Sequence, residues 1–373
     1  MYIDLSKNCH MNRRKFLHST ALTGSALSLS TIPFLMPSNR PTNRKEKLGV
    51  ALVGLGGYSS GQLAPALQNT DHCYLAGIVT GTPSKAETWK KKYDIPDDNI
   101  YNYDNFSTIA DNPDIDVVYI VLPSGMHAEY AIKAAHAGKH VWCEKPMAKT
   151  VAECQAIINA CEQNNVRLSI GYRMQHEPNT QKFKEMAQNK KFGAPRMIET
   201  AAGFHDTRTG HWRLDAELGG GATYDMGVYC INGARYIYQK EPVSVMAYES
   251  TTRPEIFKEV DETMNFILEF PDGLYANCIT SFGINLGRLI VTAENGDFRL
   301  EPFQSYNGLK GSGSDGTTFS DKVKSQQAVQ MDNDAKAIKG KAPFIAPGEE
   351  GLKDIKVVEA IFKSAKEGRR VVV

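Results

Sequence analysis

Residues 51–60 read Ala-Leu-Val-Gly-Leu-Gly-Gly-Tyr-Ser-Ser. A short apolar run enters a turn made mostly of glycine. Such a run is a buried strand. Its glycines let the backbone come close to a pyrophosphate, and the N-terminus of the following helix attracts the negative charge. The third glycine position of G-x-G-x-x-G is occupied by Ser59, with Gly61 two residues late. The motif therefore draws its weight from context, with strand before and helix after. A second segment, Val141-Trp-Cys-Glu-Lys-Pro-Met147, ends another apolar strand on lysine and proline. A dinucleotide site and a candidate catalytic cation thus share one α/β unit.

Outward from these segments the chain alternates strand and helix. Strands are predicted at 48–54, 74–80, 117–122, 140–143 and 167–171, and helices at 60–68, 84–93, 127–137 and 151–164. Gly138 is a good stop for the third helix. Alternating βα units with apolar strands predict a parallel sheet covered on both faces. After about residue 171 the pattern changes. Helices are predicted at 178–189, 221–238 and 351–367. Strands are predicted at 243–249, 263–270, 274–282, 288–293 and 297–300, with turns at Pro271-Asp272-Gly273 and Glu294-Asn295-Gly296. The fold class is α/β: a Rossmann domain at 48–171, then an α+β domain at 172–373. The second domain should hold an antiparallel or mixed sheet with helices on one face. Residues 303–325, rich in Ser, Gly and Lys, read as a long exposed loop.

The 373 residues suit two domains. Hydrophobic residues make up 42% and charged residues 23%, with a net charge of +1. That balance can bury a core and argues against nucleic acid as the main partner. Residues 1–36 read as an export signal: Arg13-Arg14-Lys15-Phe16-Leu17 is a twin-arginine pattern, followed by a mildly apolar stretch at 21–36. The stretch is short and polar for a membrane span. The expected location is therefore the periplasm, and residues 37–47 read as a linker. The seven cysteines form no C-x-x-C pair and read as small buried thiols. His205, Asp206 and His211 are too irregularly spaced for a ligand set, so no metal is expected.

The end of the second strand bears on the cofactor. NAD binding usually places Asp or Glu there. Here the segment is Ile78-Val79-Thr80-Gly81-Thr82-Pro83-Ser84-Lys85. Two hydroxyls and a cation suit a 2′-phosphate, so NADP is preferred, with NAD also tolerated.

Taken together the chain resembles the Gfo/Idh/MocA oxidoreductase family, within it the glucose–fructose oxidoreductase subgroup. The likeness is carried by Val53-Gly-Leu-Gly-Gly-Tyr58, Glu144-Lys-Pro-Met147, Gly171-Tyr-Arg173, Trp212-Arg-Leu214, Gly219-Gly-Gly221 and Asp225-Met-Gly-Val-Tyr229. The resemblance implies a second domain with an open-faced sheet, a sugar substrate between the domains, and a homo-oligomer, dimer or tetramer, formed through that sheet. It implies that Lys145 contacts substrate and cofactor, that a cis peptide often precedes Pro146, and that Tyr229 is the acid/base group. A phenol with a pKa near 10 is a poor base, and a neighbouring lysine would lower it. Asp225 would orient the sugar or the tyrosine. The expected cofactor contacts are Gly54, Leu55, Gly56, Gly57, Tyr58, Thr80, Ser84, Lys85, Pro123, His127, Glu144, Lys145 and Arg173. The expected substrate contacts are Lys145, Arg173, Asp225 and Tyr229. For Arg173 a domain-junction salt bridge is an equal alternative. The subgroup's long proline-rich arm cannot fit within 37–47. The favoured reading is an exported sugar oxidoreductase. An NAD-dependent glycosidase of the same superfamily and a non-catalytic dinucleotide-binding regulator are the alternatives.

Overall fold

The computed structural model describes residues 46–373; the twin-arginine segment and most of the linker lie outside the described residues. The first sheet holds β1 (Leu48–Val53), β2 (Cys73–Val79), β3 (Ile100–Tyr101), β4 (Val117–Ile120), β5 (His140–Cys143) and β6 (Leu168–Ile170). All pairs are parallel and the order is β3-β2-β1-β4-β5-β6. The direction of winding reverses between β1 and β4, so a crevice opens beyond their carboxyl ends. The intervening helices are α1 (Ala64–Leu67), α2 (Pro83–Tyr93), α3 (His127–His136) and α4 (Val151–Gln163). Thr150 and Glu153 cap α4 reciprocally. Gly138 follows α3 with φ +68°, a left-handed stop. The edge strand β3 was not predicted, because two residues give no periodicity.

The second half begins with α5 (Pro178–Gln188) and β7 (Pro195–Gly203). A wide turn at Thr223–Gly227 leads into α6 (Val228–Tyr238). Then come β8 (Ser244–Ser250), β9 (Thr263–Glu269), β10 (Tyr275–Ser281), β11 (Leu286–Ala293), β12 (Gly296–Glu301), β13 (Lys310–Gly313) and β14 (Thr318–Phe319). The chain ends with α7 (Gln326–Ile338), α8 (Gly348–Glu367) and β15 (Val371–Val372). These nine strands form one mixed sheet in the order β14-β13-β12-β11-β7-β10-β9-β8-β15. Only β7 and β10 run parallel. Asp272 and Gly273, both with positive φ, lie in the three-residue loop that turns β9 into β10. Helices α5, α6 and α8 cover one face. The opposite face exposes Met246, Tyr248, Ile267 and Tyr275.

Three expectations need correction. The centre of the large sheet is β7, where no strand was predicted; its buried Thr200 and Ala202 are small on the face that α6 covers. Residues 303–325 are not simply an exposed loop. They contain β13 and β14, and their first residues reach the crevice. Helix α7, unpredicted, lies in the range expected for the second domain yet packs on the first sheet. Its Ala328, Met331 and Ala335 join Leu48, Leu52, Ile78, Tyr119 and Trp142 in one apolar cluster. Full burial of Met331 alone contributes on the order of 1.5–3 kcal/mol. The six described cysteines are buried and free. Among the described residues no helix is long and apolar enough to cross a membrane.

Candidate active site

A cavity of about 1140 Å³ opens at the carboxyl ends of β1, β2, β4 and β5 and continues to the start of α6 and the segment after β12. It exceeds the roughly 300–1000 Å³ of a single small-ligand cleft, leaving room for a dinucleotide with a second small molecule.

One end is made largely of backbone. Gly54 has φ +91°, and a Cβ there would lie 2.7 Å from the Val121 carbonyl oxygen. Only glycine suits that conformation and that contact. A Cβ on Gly56 or Gly57 would meet nothing within 4 Å, so both present bare backbone to the cavity. Ser59, at the third glycine position, is fully buried and donates its hydroxyl to the Gly54 carbonyl at 2.5 Å. The serine thus closes the turn that a third glycine would otherwise let pack. Leu55, Tyr58, Thr80, Lys85 and Pro123 line this end as expected; Ser84 is not part of the lining. Thr80 turns its hydroxyl to accept from the Thr82 N–H at 3.2 Å. These features fit a bound dinucleotide: open glycine backbone, a helix start, and a hydroxyl-rich end beside Lys85.

His127 lines the cavity, but both ring nitrogens are engaged. Nδ1 lies 2.8 Å from the Pro146 carbonyl and Nε2 2.8 Å from the Leu122 carbonyl. Burial lowers its pKa. It braces the loop after β4 against the Lys145–Pro146 segment instead of offering a free ring nitrogen. The Lys145–Pro146 bond is cis. Glu144 is buried and accepts from the Tyr119 hydroxyl at 2.7 Å; burial pushes its carboxyl up to about 7.

The other end is dense in charge. Lys145 Nζ donates to the Asp225 carbonyl at 2.6 Å and to Asp225 Oδ1 at 3.0 Å. Arg213 Nε donates to Asp225 Oδ2 at 2.7 Å. Asp225 therefore holds two cations, where the resemblance implied that it orients sugar or tyrosine. Burial would raise its pKa, but Arg213 and Lys145 hold it well below the usual carboxylate range. Burial would lower the lysine, but Asp225, then Tyr229, keep it above its ordinary value. Lys145 is thus a fixed ammonium. It has three N–H donors and spends two on Asp225.

Tyr229, in the first turn of α6, lies one turn beyond Asp225. Its ring centroid is 4.7 Å from Lys145 Nζ and 5.7 Å from Arg173 Cζ. Two cations thus face one aromatic ring. Its hydroxyl makes no hydrogen bond to any described residue. Arg173 is buried and donates to the carbonyls of Ser305 (3.2 Å) and Gln304 and to the Gln326 amide. Those partners are neutral oxygens, so the structure gives Arg173 a place in the cleft wall rather than the alternative salt bridge. Its guanidinium lies 4.5 Å from the Tyr306 ring, which stacks on Tyr58. The other candidate polar residues are engaged elsewhere. Asp206 pairs with Arg208, and His205 donates its backbone N–H to the Asn285 side chain while its ring Nε2 lies 3.4 Å from Arg253 Nη1.

With this geometry in hand, comparison with known proteins is decisive. Residues 48–172 match the oxidoreductase family with the NAD-binding Rossmann fold, GFO_IDH_MocA. Residues 180–299 match the GFO/IDH/MocA C-terminal domain. The chain belongs to the Gfo/Idh/MocA oxidoreductase family. A D-xylose 1-dehydrogenase (NADP(+)) of Haloarcula marismortui is 28% identical over 334 residues, covering 85% of this chain and 90% of that protein. The crystal structure of an aldose-aldose oxidoreductase from Caulobacter crescentus, complexed with glycerol, matches with a TM-score of 0.85 at 38% identity. It covers 88% of this chain and 100% of that chain. A 3-ketoreductase of Actinomadura kijaniata, solved as a mutant in complex with TDP-benzene and NADP, shares the fold. Its TM-score is 0.76 at 20% identity, over 85% of this chain and 98% of that chain.

This Gfo/Idh/MocA enzyme is an NAD(P)-dependent oxidoreductase, and its cleft contains residues that sequence reasoning did not single out. Arg213 and Trp212 enter from the turn at Trp212–Leu214, Gln304 and Tyr306 from the segment after β12, and Tyr103 from beyond β3; His211, weighed above only as a metal ligand, enters beside Trp212. The Trp212-Arg-Leu214 string was visible as a family mark. Its role was not, because Arg213 meets Asp225 only in the folded chain.

Proposed function

We propose that this oxidoreductase transfers a hydride between a CH–OH carbon of a sugar and NADP, with Lys145 and Tyr229 handling the oxygen and its proton. The observation that carries this reading is their meeting. Lys145 arrives from the loop after β5 and Tyr229 from α6, and they face each other at 4.7 Å across the mouth of the dinucleotide crevice. The names of the xylose dehydrogenase and the aldose-aldose oxidoreductase support a sugar substrate. Bound NADP would supply the hydride acceptor or donor. Gly54, Gly56, Gly57 and Tyr58 would hold its phosphates and Thr80 and Lys85 the adenosine end; NADP is favoured because β2 ends without an acid.

Each protein group then has a task. The remaining N–H of Lys145 hydrogen-bonds the reacting oxygen and stabilises negative charge on it as the bond order changes. Tyr229, with its hydroxyl free of partners among the described residues, exchanges the proton of that oxygen. Asp225 keeps the lysine in place. A second sugar would return the cofactor to its starting state without its release, as a glucose–fructose type cycle requires.

The test is mass spectrometry of dinucleotide released from purified protein, followed by a panel of aldoses and polyols monitored by nicotinamide absorbance. Recovery of NADP and turnover of at least one sugar are expected. Binding of dinucleotide with no turnover across the panel would refute the reading.

We also propose export by the twin-arginine route, motivated by Arg13-Arg14. Arg13→Lys with Arg14→Lys should leave folded protein in the cytoplasm, and unchanged export refutes the proposal. Association of copies through the exposed face bearing Met246, Tyr248, Ile267 and Tyr275 belongs to the same proposal. A monomer in sedimentation equilibrium would refute it.

A further inference from the structure

Asp225 is one carboxylate shared by two cations. Its side chain is 8% exposed, and its two oxygens are taken separately: Oδ1 by Lys145 at 3.0 Å and Oδ2 by Arg213 at 2.7 Å. The trio comes from three places in the fold, the loop after β5, the turn at Trp212–Leu214 and the turn before α6. Its formal charge is +1, where a simple Lys–Asp pair would be neutral. Arg213 is itself held by flat neighbours. Its guanidinium carbon lies 4.6 Å from the Trp212 ring and 5.8 Å from the Phe204 ring. Its partly exposed side chain lines the same cavity.

We infer that Arg213 is a positioning residue acting through Asp225. By occupying Oδ2 it prevents the carboxylate from closing on Lys145 with both oxygens, and so leaves the lysine charge and one N–H available to the reacting oxygen. This rests on the proposed role of Lys145 and goes beyond it, since nothing in that role requires a second cation. The physical reason is competition for one acceptor. A buried carboxylate oxygen without a partner is costly, so removing Arg213 would turn Oδ2 toward the nearest remaining donor. Lys145, already bonded to Oδ1 of the same carboxylate, is the donor at hand. The lysine would then be neutralised by its own anchor, and the positive field at the reacting oxygen would fall.

Other charged or titratable groups face the trio. Glu144 does so from the first half, Tyr229 from α6, Asp206 and His211 from the segment before Trp212, and Tyr306 from the segment after β12, while Arg173 lies over the Tyr229 ring. His127 lies behind Lys145. None of them bonds Asp225 Oδ2, so none replaces Arg213 without rearrangement.

The experiment compares Arg213→Met and Arg213→Lys with wild type, with Lys145→Ala as reference. For Arg213→Met, kcat should fall about 30- to 100-fold, below the full worth of a direct charge-stabilising donor. KM for the sugar should change little, and NADPH affinity by fluorescence titration should be unchanged. The pH limb of kcat/KM that reports the essential base should move up by about one unit, since a positive neighbour has gone. Arg213→Lys retains the charge and should restore most of kcat and the limb. Asp225→Asn combined with Arg213→Met should be no worse than Asp225→Asn alone, because the arginine acts only through the aspartate. The inference is overturned by wild-type kcat and pH profile in Arg213→Met, by Arg213→Lys as poor as Arg213→Met, or by additive losses in the double variant. It is also overturned if NADPH affinity and thermal stability fall in step with kcat. Full activity in Lys145→Ala would instead overturn the underlying mechanism, so the two failures are told apart.

Discussion

The two ends of the cleft are built on opposite principles. At the β1 end the functional element is missing side chains: Gly54 has no room for a Cβ, while Gly56 and Gly57 leave backbone open to the cavity. At the α6 end it is a crowd of them, with Lys145 and Arg213 paired to Asp225 and Lys145 and Arg173 facing the Tyr229 ring. Bare backbone binds a phosphate chain with little regard to the chemistry beyond it. Paired charges hold one another at fixed distances and set the field where a proton moves. Substitutions at the first end should therefore act on binding, and those at the second on turnover.

Tyr229→Phe is the most severe test of that division. Turnover should fall roughly 10²–10⁴-fold, the usual worth of a proton-transfer group. Dinucleotide affinity should stay constant, because the lost hydroxyl touches no described residue. Near-normal turnover with a confirmed sugar would remove tyrosine from the chemistry. Gly54→Ala should break the other end. Its left-handed backbone and the 2.7 Å approach to the Val121 carbonyl predict a stability loss of roughly 1–3 kcal/mol in urea unfolding, with weaker dinucleotide binding. A variant with wild-type stability and affinity would show that the turn tolerates a side chain. The smallest effect belongs to Lys85→Ala. The residue is exposed, so its preference for a 2′-phosphate over a hydroxyl should shrink only about two- to fivefold. Equal affinity of wild type for NADP and NAD would defeat the assignment before the variant is made.

The same contrast governs what could be read in the sequence. The first end was legible because it is local: strand, glycines and helix follow one another within 20 residues, and the βα alternation repeats. The second end is assembled across the chain. Lys145 stood out as a cation closing an apolar strand, Tyr229 only through the family resemblance, and the cis bond before Pro146 agrees with that resemblance. Arg213 was not found, since its partner lies 12 residues away and that partner's other cation 80 residues away. Helix α7 escaped for a related reason. Its buried Gln326, Gln327 and Gln330 look like solvent-facing residues, but they serve Arg173, Tyr58 and Tyr119. Strand β7 was hidden by its small residues, of which Thr200 and Ala202 lie under α6 and Gly203 against the Ser281 backbone.

The return of α7 to the first sheet also dictates an order of events during synthesis. Strands β1 to β6 leave the ribosome long before residues 326–338. At roughly 5–20 residues per second the interval is on the order of ten seconds or more. For that time Leu52, Ile78, Tyr119 and Trp142 lack the apolar partners that Ala328, Met331 and Ala335 later provide. The backbone N–H groups of Asp71 and His72 likewise wait for Asp332. The dinucleotide half is therefore not an independent module that acquires a substrate half. It becomes complete only when the far end of the chain arrives, and a nascent chain cut short before α7 presents an open apolar groove to whatever surrounds it.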